Sequence, residues 1–229
     1  MKTQPPIARS GIRSREGFTL VEMIGVLSVI SILASLLVPR VFQAINDSRI
    51  AAAAASYNGV KSGVNEYFGR FGLLGGANGA PLNLANNAIF EDWDLTVLVA
   101  GGFLERPFMA KIGNGLVGSA AGGSRLRLIN ISDNAVTTDP ATAAADLAAG
   151  AYDLDGSGGA TDNDILGTIV VEAVIDGVEE NDARDLNTAI DGPSLAAAAA
   201  GGSADAKGRV KYLIGNDGLA SVRIYVAHK

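Results

Sequence analysis

Residues 17–38 read GFTLVEMIGVLSVISILASLLV, and the reading of this stretch decides the fold. From Phe18 to Val38 every side chain is apolar, small or hydroxylic except the carboxylate of Glu22. These 21 residues span about 31 Å as an α-helix, enough to cross the hydrocarbon core of a bilayer. An ionisable group in such a segment costs about 2.5–3.5 kcal/mol at the bilayer centre on insertion scales, so Glu22 needs a reason to be there. Lys2, Arg9, Arg13 and Arg15 precede the run, and Glu16 alone opposes them. The positive-inside rule then predicts a cytoplasmic N-terminus, with everything after Val38 across the membrane. An ordinary signal peptide would carry a small-residue cleavage site after its apolar core. Ala34-Ser35 is small enough, but Leu36-Leu37-Val38 continues the apolar run past it.

Pro39 lacks an N–H and ends or bends most helices. Yet Val41, Phe42 and Ile45 continue at helical spacing, and Ala51–Ala55 is a strong helix-forming composition. Tyr57, Val60, Val64, Tyr67 and Phe71 then recur at steps of three and four. The pattern predicts one helix over 18–71, bent near Pro39, whose second half carries a single apolar stripe. Such a stripe must be buried against another layer. Gly25, Ser28, Ser31 and Ser35 interrupt the first half; they either mark a close-packing face between helices or are incidental.

The stretch GFTLVEMIGVLSVI resembles the N-terminus of type IV pilins and type II secretion pseudopilins. The resemblance covers about twenty residues and implies the following. A prepilin peptidase cuts between Gly17 and Phe18 and methylates the new terminal amine. Glu22, five places into the mature chain, pairs with the terminal amine of a neighbouring subunit. The implied partners are the peptidase, other pilin or pseudopilin subunits, an inner-membrane assembly platform and the lipid bilayer. The implied organisation is a leader over 1–17, a transmembrane and amphipathic helix over 18–71, and a globular α+β domain over 72–229. The implied location is a single pass through a bacterial inner membrane, with the domain in the periplasm or in an extracellular filament.

The net charge is −6. Residues 1–17 carry a net +3, so their removal leaves −9. A domain this acidic is a poor binder of nucleic acid, which demands clustered Lys and Arg. There is no cysteine, so no disulfide, thiolate metal site or lipidated Cys can form. Many type IV pilins close their C-terminal region with a disulfide. The departure here favours a pseudopilin or a disulfide-free pilin. Gly/Ala clusters at 75–80, 118–123 and 196–202 read as loose loops, and 195–200 alternatively as a short helix before Gly201-Gly202.

In the globular region, Asp92-Trp93-Asp94 precedes Leu95, Val97, Leu98 and Val99, then Gly101-Gly102. This predicts a short capped helix with a glycine stop. Strands are predicted at Leu126–Ile131 and Ile169–Ile175, and a short helix over 182–190. Val210–Ile214 and Ser221–Val226 flank Gly-Asn-Asp-Gly and predict a hairpin. The predicted fold class is α+β: a long N-terminal helix, membrane-spanning then amphipathic, packed on a C-terminal antiparallel β-sheet.

Residues 153–164 read DLDGSGGATDND. Set on the twelve-residue calcium loop, Asp153, Asp155, Ser157, Thr161 and Asp164 take positions 1, 3, 5, 9 and 12, and the Gly159 carbonyl takes position 7. Position 12 is the shorter Asp rather than Glu, position 8 is Ala160, and a strand rather than a helix follows. The loop is therefore a candidate calcium site or an ordinary solvated turn.

Catalytic sets are missing from the inventory. The one histidine, His228, reads as a frayed terminal residue, so no nucleophile–His–carboxylate set can be built. The glycine-rich stretches lack the Lys-Ser/Thr of a phosphate loop. Asp92/Asp94 and Glu179/Glu180 read as solvated faces rather than an acid–base pair. The expected function is a structural filament subunit, not an enzyme. The alternative is a surface-binding or adhesion module on a pilin-like stem, using 118–164 as its contact surface.

Overall fold

The computed structural model describes residues 17–85, 88–131, 152–157, 164–165, 168–195, 204–205, 207–215 and 217–229. The chain forms two units, Met1–Ala44 and Ile45–Lys229, and helix α1 (Leu20–Phe71) contributes to both. Pro39 lies inside that helix rather than at its end. In the first unit every residue from 17 to 44 is exposed, including Phe18, Ile24, Leu33 and Leu37. A helix apolar on all sides belongs in lipid or among other helices, not in water. Among the described residues α1 is the one helix long and apolar enough to span a membrane.

In the second unit α1 becomes amphipathic. Ile50, Ala53, Tyr57, Val60, Val64 and Tyr67 are buried at steps of three and four, while Phe71 is half-buried beside them. They pack on a six-stranded sheet of order β1-β2-β3-β6-β5-β4. The strands are β1 (Ile89–Phe90), β2 (Arg125–Asn130), β3 (Ile169–Glu179), β4 (Ala204–Asp205), β5 (Val210–Ile214) and β6 (Leu219–His228). All pairings are antiparallel. Period-two alternation decides which side chains meet the helix. Leu126 and Leu128 of β2, Val171, Ala173 and Ile175 of β3, and Val222, Ile224 and Val226 of β6 all join that core. Each Val, Leu or Ile side chain so buried contributes about 1.5–3 kcal/mol. The fold is thus a long helix on an antiparallel sheet, consistent with the pilin fold. A second helix, α2 (Glu180–Asp191), buries Ala183 and Leu186 in the same core.

The predicted hairpin forms as β5 and β6, closed by the Gly215 N–H donating to Leu219 O at 2.8 Å. β3 runs four residues past the predicted Ile175, through a register shift between Ile175 and Val178 at which Gly177 has φ +71°. His228 is not frayed: it ends β6 opposite Val170, its Nδ1 2.6 Å from the Tyr225 hydroxyl.

Three further expectations are corrected. Residues 75–80 are not loose. Gly75 and Gly76 are buried, and their carbonyls accept from Trp93 Nε1 (2.7 Å) and the Tyr67 hydroxyl (2.6 Å). A Cβ on Gly75 would lie 2.4 Å from Ala80 O, so glycine here permits close packing rather than mobility. The segment after Trp93 is a π-helix, Asp94–Val99, without a side-chain cap. Nor is Asp94 a solvated carboxylate. It is buried, and its two oxygens accept from the N–H groups of Phe108 (2.8 Å) and Leu126 (3.0 Å). Burial raises its pKa, against the lowering effect of those backbone donors. By contrast Glu179 and Glu180 are exposed, as expected. The cluster at 196–202 lies outside the described residues.

Candidate functional site

The N-terminal motif is built around the start of α1. Gly17, Phe18 and Thr19 precede the helix, which begins at Leu20. The Thr19 N–H and hydroxyl both donate to Glu22 Oε2 at 2.8 Å, and the Glu22 N–H lies 3.3 Å from Thr19 Oγ1. This is a capping box, in which N-cap and third helical residue satisfy each other's exposed backbone donors. It explains locally why α1 starts where it does. It also turns the Glu22 carboxylate back toward the helix start, close in sequence to the Gly17–Phe18 bond. The sequence reading did not single out Thr19 as the partner of Glu22, though the Thr-x-x-Glu spacing carries the signal. Further along, the hydroxyls of Ser28, Ser31 and Ser35 donate to the carbonyls of Ile24, Leu27 and Ile32 at 2.7–2.8 Å. Their polarity is satisfied within the helix, which suits an apolar surround.

The acidic loop brings part of its predicted set together. One carboxylate oxygen each from Asp153, Asp155 and Asp164 lie within 4.8 Å of one another. Asp153 is buried, and the other two are exposed. Asp164 Oδ2 accepts from the N–H groups of Leu154 (2.7 Å) and Asp155 (3.1 Å). Asp153 Oδ1 accepts from Gly156, and Asp155 Oδ1 from Ser157, each at 2.8 Å. The bond from the Ser157 backbone holds the Asp155 carboxyl below its usual range. The loop is anchored to the segment before β5, where the Gly208 N–H donates to Asp153 O at 2.7 Å. Three converging carboxylates can coordinate a metal ion, and their oxygens suit a hard cation. Gly159 and Thr161 lie outside the described residues, as does most of 132–163.

A third constellation, on the sheet face turned away from α1, was not foreseen. Glu172 of β3 is fully buried and paired with Arg127 of β2, whose Nε also donates to it. The Tyr152 hydroxyl donates to Glu172 Oε2 at 2.7 Å. Burial favours the neutral form of Glu172, but Arg127, Lys211 and Arg223 outweigh it and hold its pKa below the ordinary carboxylate value. On the same face Arg125 binds Glu91 (2.8 Å) and Asp176 (2.6 Å). This is an ion-pair network on one face of the sheet. The strands' apolar residues dominated the sequence signal, and single charges between them gave no pattern to read.

A family model described as "Prokaryotic N-terminal methylation motif" matches residues 12–38. Neither a curated protein nor a solved structure matches the chain significantly. The matched residues include Gly17, Phe18, the Thr19–Glu22 capping box and the exposed apolar half of α1. The chain thus carries at its N-terminus a prepilin-type methylation motif, of the kind diagnostic of the type IV pilin and pseudopilin family.

Proposed function

We propose that the chain is made as a precursor, cut by prepilin peptidase between Gly17 and Phe18, methylated on Phe18, and assembled into a type II secretion pseudopilus or a type IV pilus. The observation that carries this reading is the Gly17-Phe18 junction with Glu22, set directly before a helix exposed and apolar on all sides. In the membrane that helix is held by lipid, with the N-terminus cytoplasmic and the globular unit across the inner membrane. During assembly it exchanges lipid for the helices of other subunits at the assembly platform. Open-ended filament growth repeats one heterologous contact from subunit to subunit. Mass spectrometry of assembled material is expected to find a methylated Phe18 at the N-terminus. Replacing Gly17 is expected to leave the leader attached. An intact Met1 start in filaments would contradict the reading.

The acidic loop is proposed to hold calcium through Asp153, Asp155 and Asp164, with Ser157, Gly159 and Thr161 completing the oxygen set. A ligand that binds only the folded state stabilises it by about 2.7 kcal/mol at 100 times its dissociation constant. The melting temperature of the full chain in detergent is expected to rise with calcium over chelator, and less with magnesium, which resists dehydration. Asp155→Asn removes one exposed carboxylate and is expected to abolish most of the rise. Identical melting of wild type in calcium and in chelator would reduce the loop to a turn.

A further inference from the structure

The amphipathic half of α1 carries features of opposite charge on its two flanks. On one flank a cleft of about 350 Å³ lies between α1 and α2. Ile50, Ala51 and Ala189 form its apolar part, and Asp47 of α1 and Asp185 of α2 supply its charge. Both carboxylates are exposed, and neither makes an ion pair among the described residues. No basic residue lines the cleft. Two like charges on one concave surface concentrate its field and attract a cation.

On the other flank, residues 103–109 form a lip along Ser56, Gly59 and Val60 of α1. The lip is anchored on both sides of Arg106. Leu104 packs so closely on α1 that a Cβ on Gly63 would lie 2.6 Å from it. The Phe108 N–H donates to Asp94 Oδ2 at 2.8 Å. Between these anchors Arg106 is exposed, with Met109 and Lys111 exposed beyond it. Arg106 and Lys111 make no ion pair among the described residues, not even with the adjacent Glu105. At about 100° per residue, the cleft residues of α1 and the lip residues of α1 lie about half a turn apart around the helix. Lip and cleft of one chain are therefore on opposite flanks.

We propose that Arg106 of one subunit docks in the α1–α2 cleft of a second copy, an inference that rests on the filament reading above. Its aliphatic stem lies over Ile50 and Ala51, and its planar guanidinium meets the carboxylates of Asp47 and Asp185. The anchored lip holds Arg106 ready, which lowers the ordering cost of the contact. Sites on opposite flanks make the contact heterologous. Every docked pair still offers a free lip and a free cleft, so the contact repeats and does not close into a two-fold dimer.

The absence of cysteine lets a cross-link report this contact alone. The full chain carrying Met109→Cys on the lip and Ala189→Cys in the cleft is treated, in sheared filaments, with a short bismaleimide. A ladder of dimers, trimers and longer products is expected, and each single-cysteine chain is expected to give nothing beyond a dimer. Adding Asp47→Lys and Asp185→Lys sets like charges together and is expected to cut the ladder about tenfold or more. Adding Arg106→Glu to that chain is expected to restore it. All three positions are exposed, so folding is expected to be little changed. Filaments without a ladder, a ladder indifferent to the reversed charges, or a loss that Arg106→Glu does not reverse would overturn this contact and leave the filament reading standing. If the wild-type chain forms no filaments, that reading fails instead. The same cross-link on the concentrated full chain in detergent micelles then decides: a ladder supports the contact, and its absence overturns it.

Discussion

Glu22→Ala is expected to insert and be cut normally yet fail to enter filaments of wild-type subunits. In the proposed assembly the Glu22 carboxylate neutralises the terminal amine of a neighbour inside an apolar helix bundle. Removing one partner of a buried pair leaves the other charge uncompensated, at a cost of about 3–5 kcal/mol, or some hundreds- to thousands-fold in association. The capping box gives a control. Thr19→Ala loses the N-cap hydroxyl but keeps the charge, so it is expected to cost only about 0.5–2 kcal/mol of helix stability. Co-expression with wild type, followed by quantification of each tagged variant in sheared filaments, separates the two. Glu22→Ala recovered at the wild-type ratio would show that the pairing is dispensable.

The second large effect concerns Glu172. Glu172→Gln keeps the shape and removes the carboxylate nearest to Arg127 at the centre of the network, leaving it Glu91 at 3.6 Å. A loss of about 3–5 kcal/mol of folding stability is expected, read by thermal melts of the full chain in detergent. The pH dependence has a definite sign. The Glu172 pKa is lowered on folding, so its contribution is fully present above the unfolded carboxylate value of about 4.3. It is lost as pH falls through the folded value. The wild-type melting temperature is therefore expected to fall more steeply than that of Glu172→Gln below about pH 4. Parallel acid profiles would show that Glu172 is not the group responsible.

The chain's periodicities made much of this readable in advance. The three-and-four spacing of Tyr57, Val60, Val64 and Tyr67 announced the helix face, and the two runs around Gly215–Gly218 announced the hairpin. Length and period are local properties, so they survive in a single sequence. Partnership is not local. Nothing near Asp94 in the chain says that its oxygens meet Phe108 and Leu126, and nothing near Arg127 points to Glu172. The two-residue strands β1 and β4 are too short to show a period. At the N-terminus, the methylation motif was legible because it is contiguous. At the acidic loop, spacing picked out three aspartates that the fold does bring together, but spacing alone says nothing of affinity.

The strand order has a consequence for biosynthesis. β6 lies between β3 and β5, both made before it. Until β6 emerges, β3 and β5 have no shared neighbour, and the wall opposite α1 lacks Val222, Ile224 and Val226. A nascent chain therefore cannot close this core before its last strand is made. Completion of the sheet becomes a late, all-at-once event.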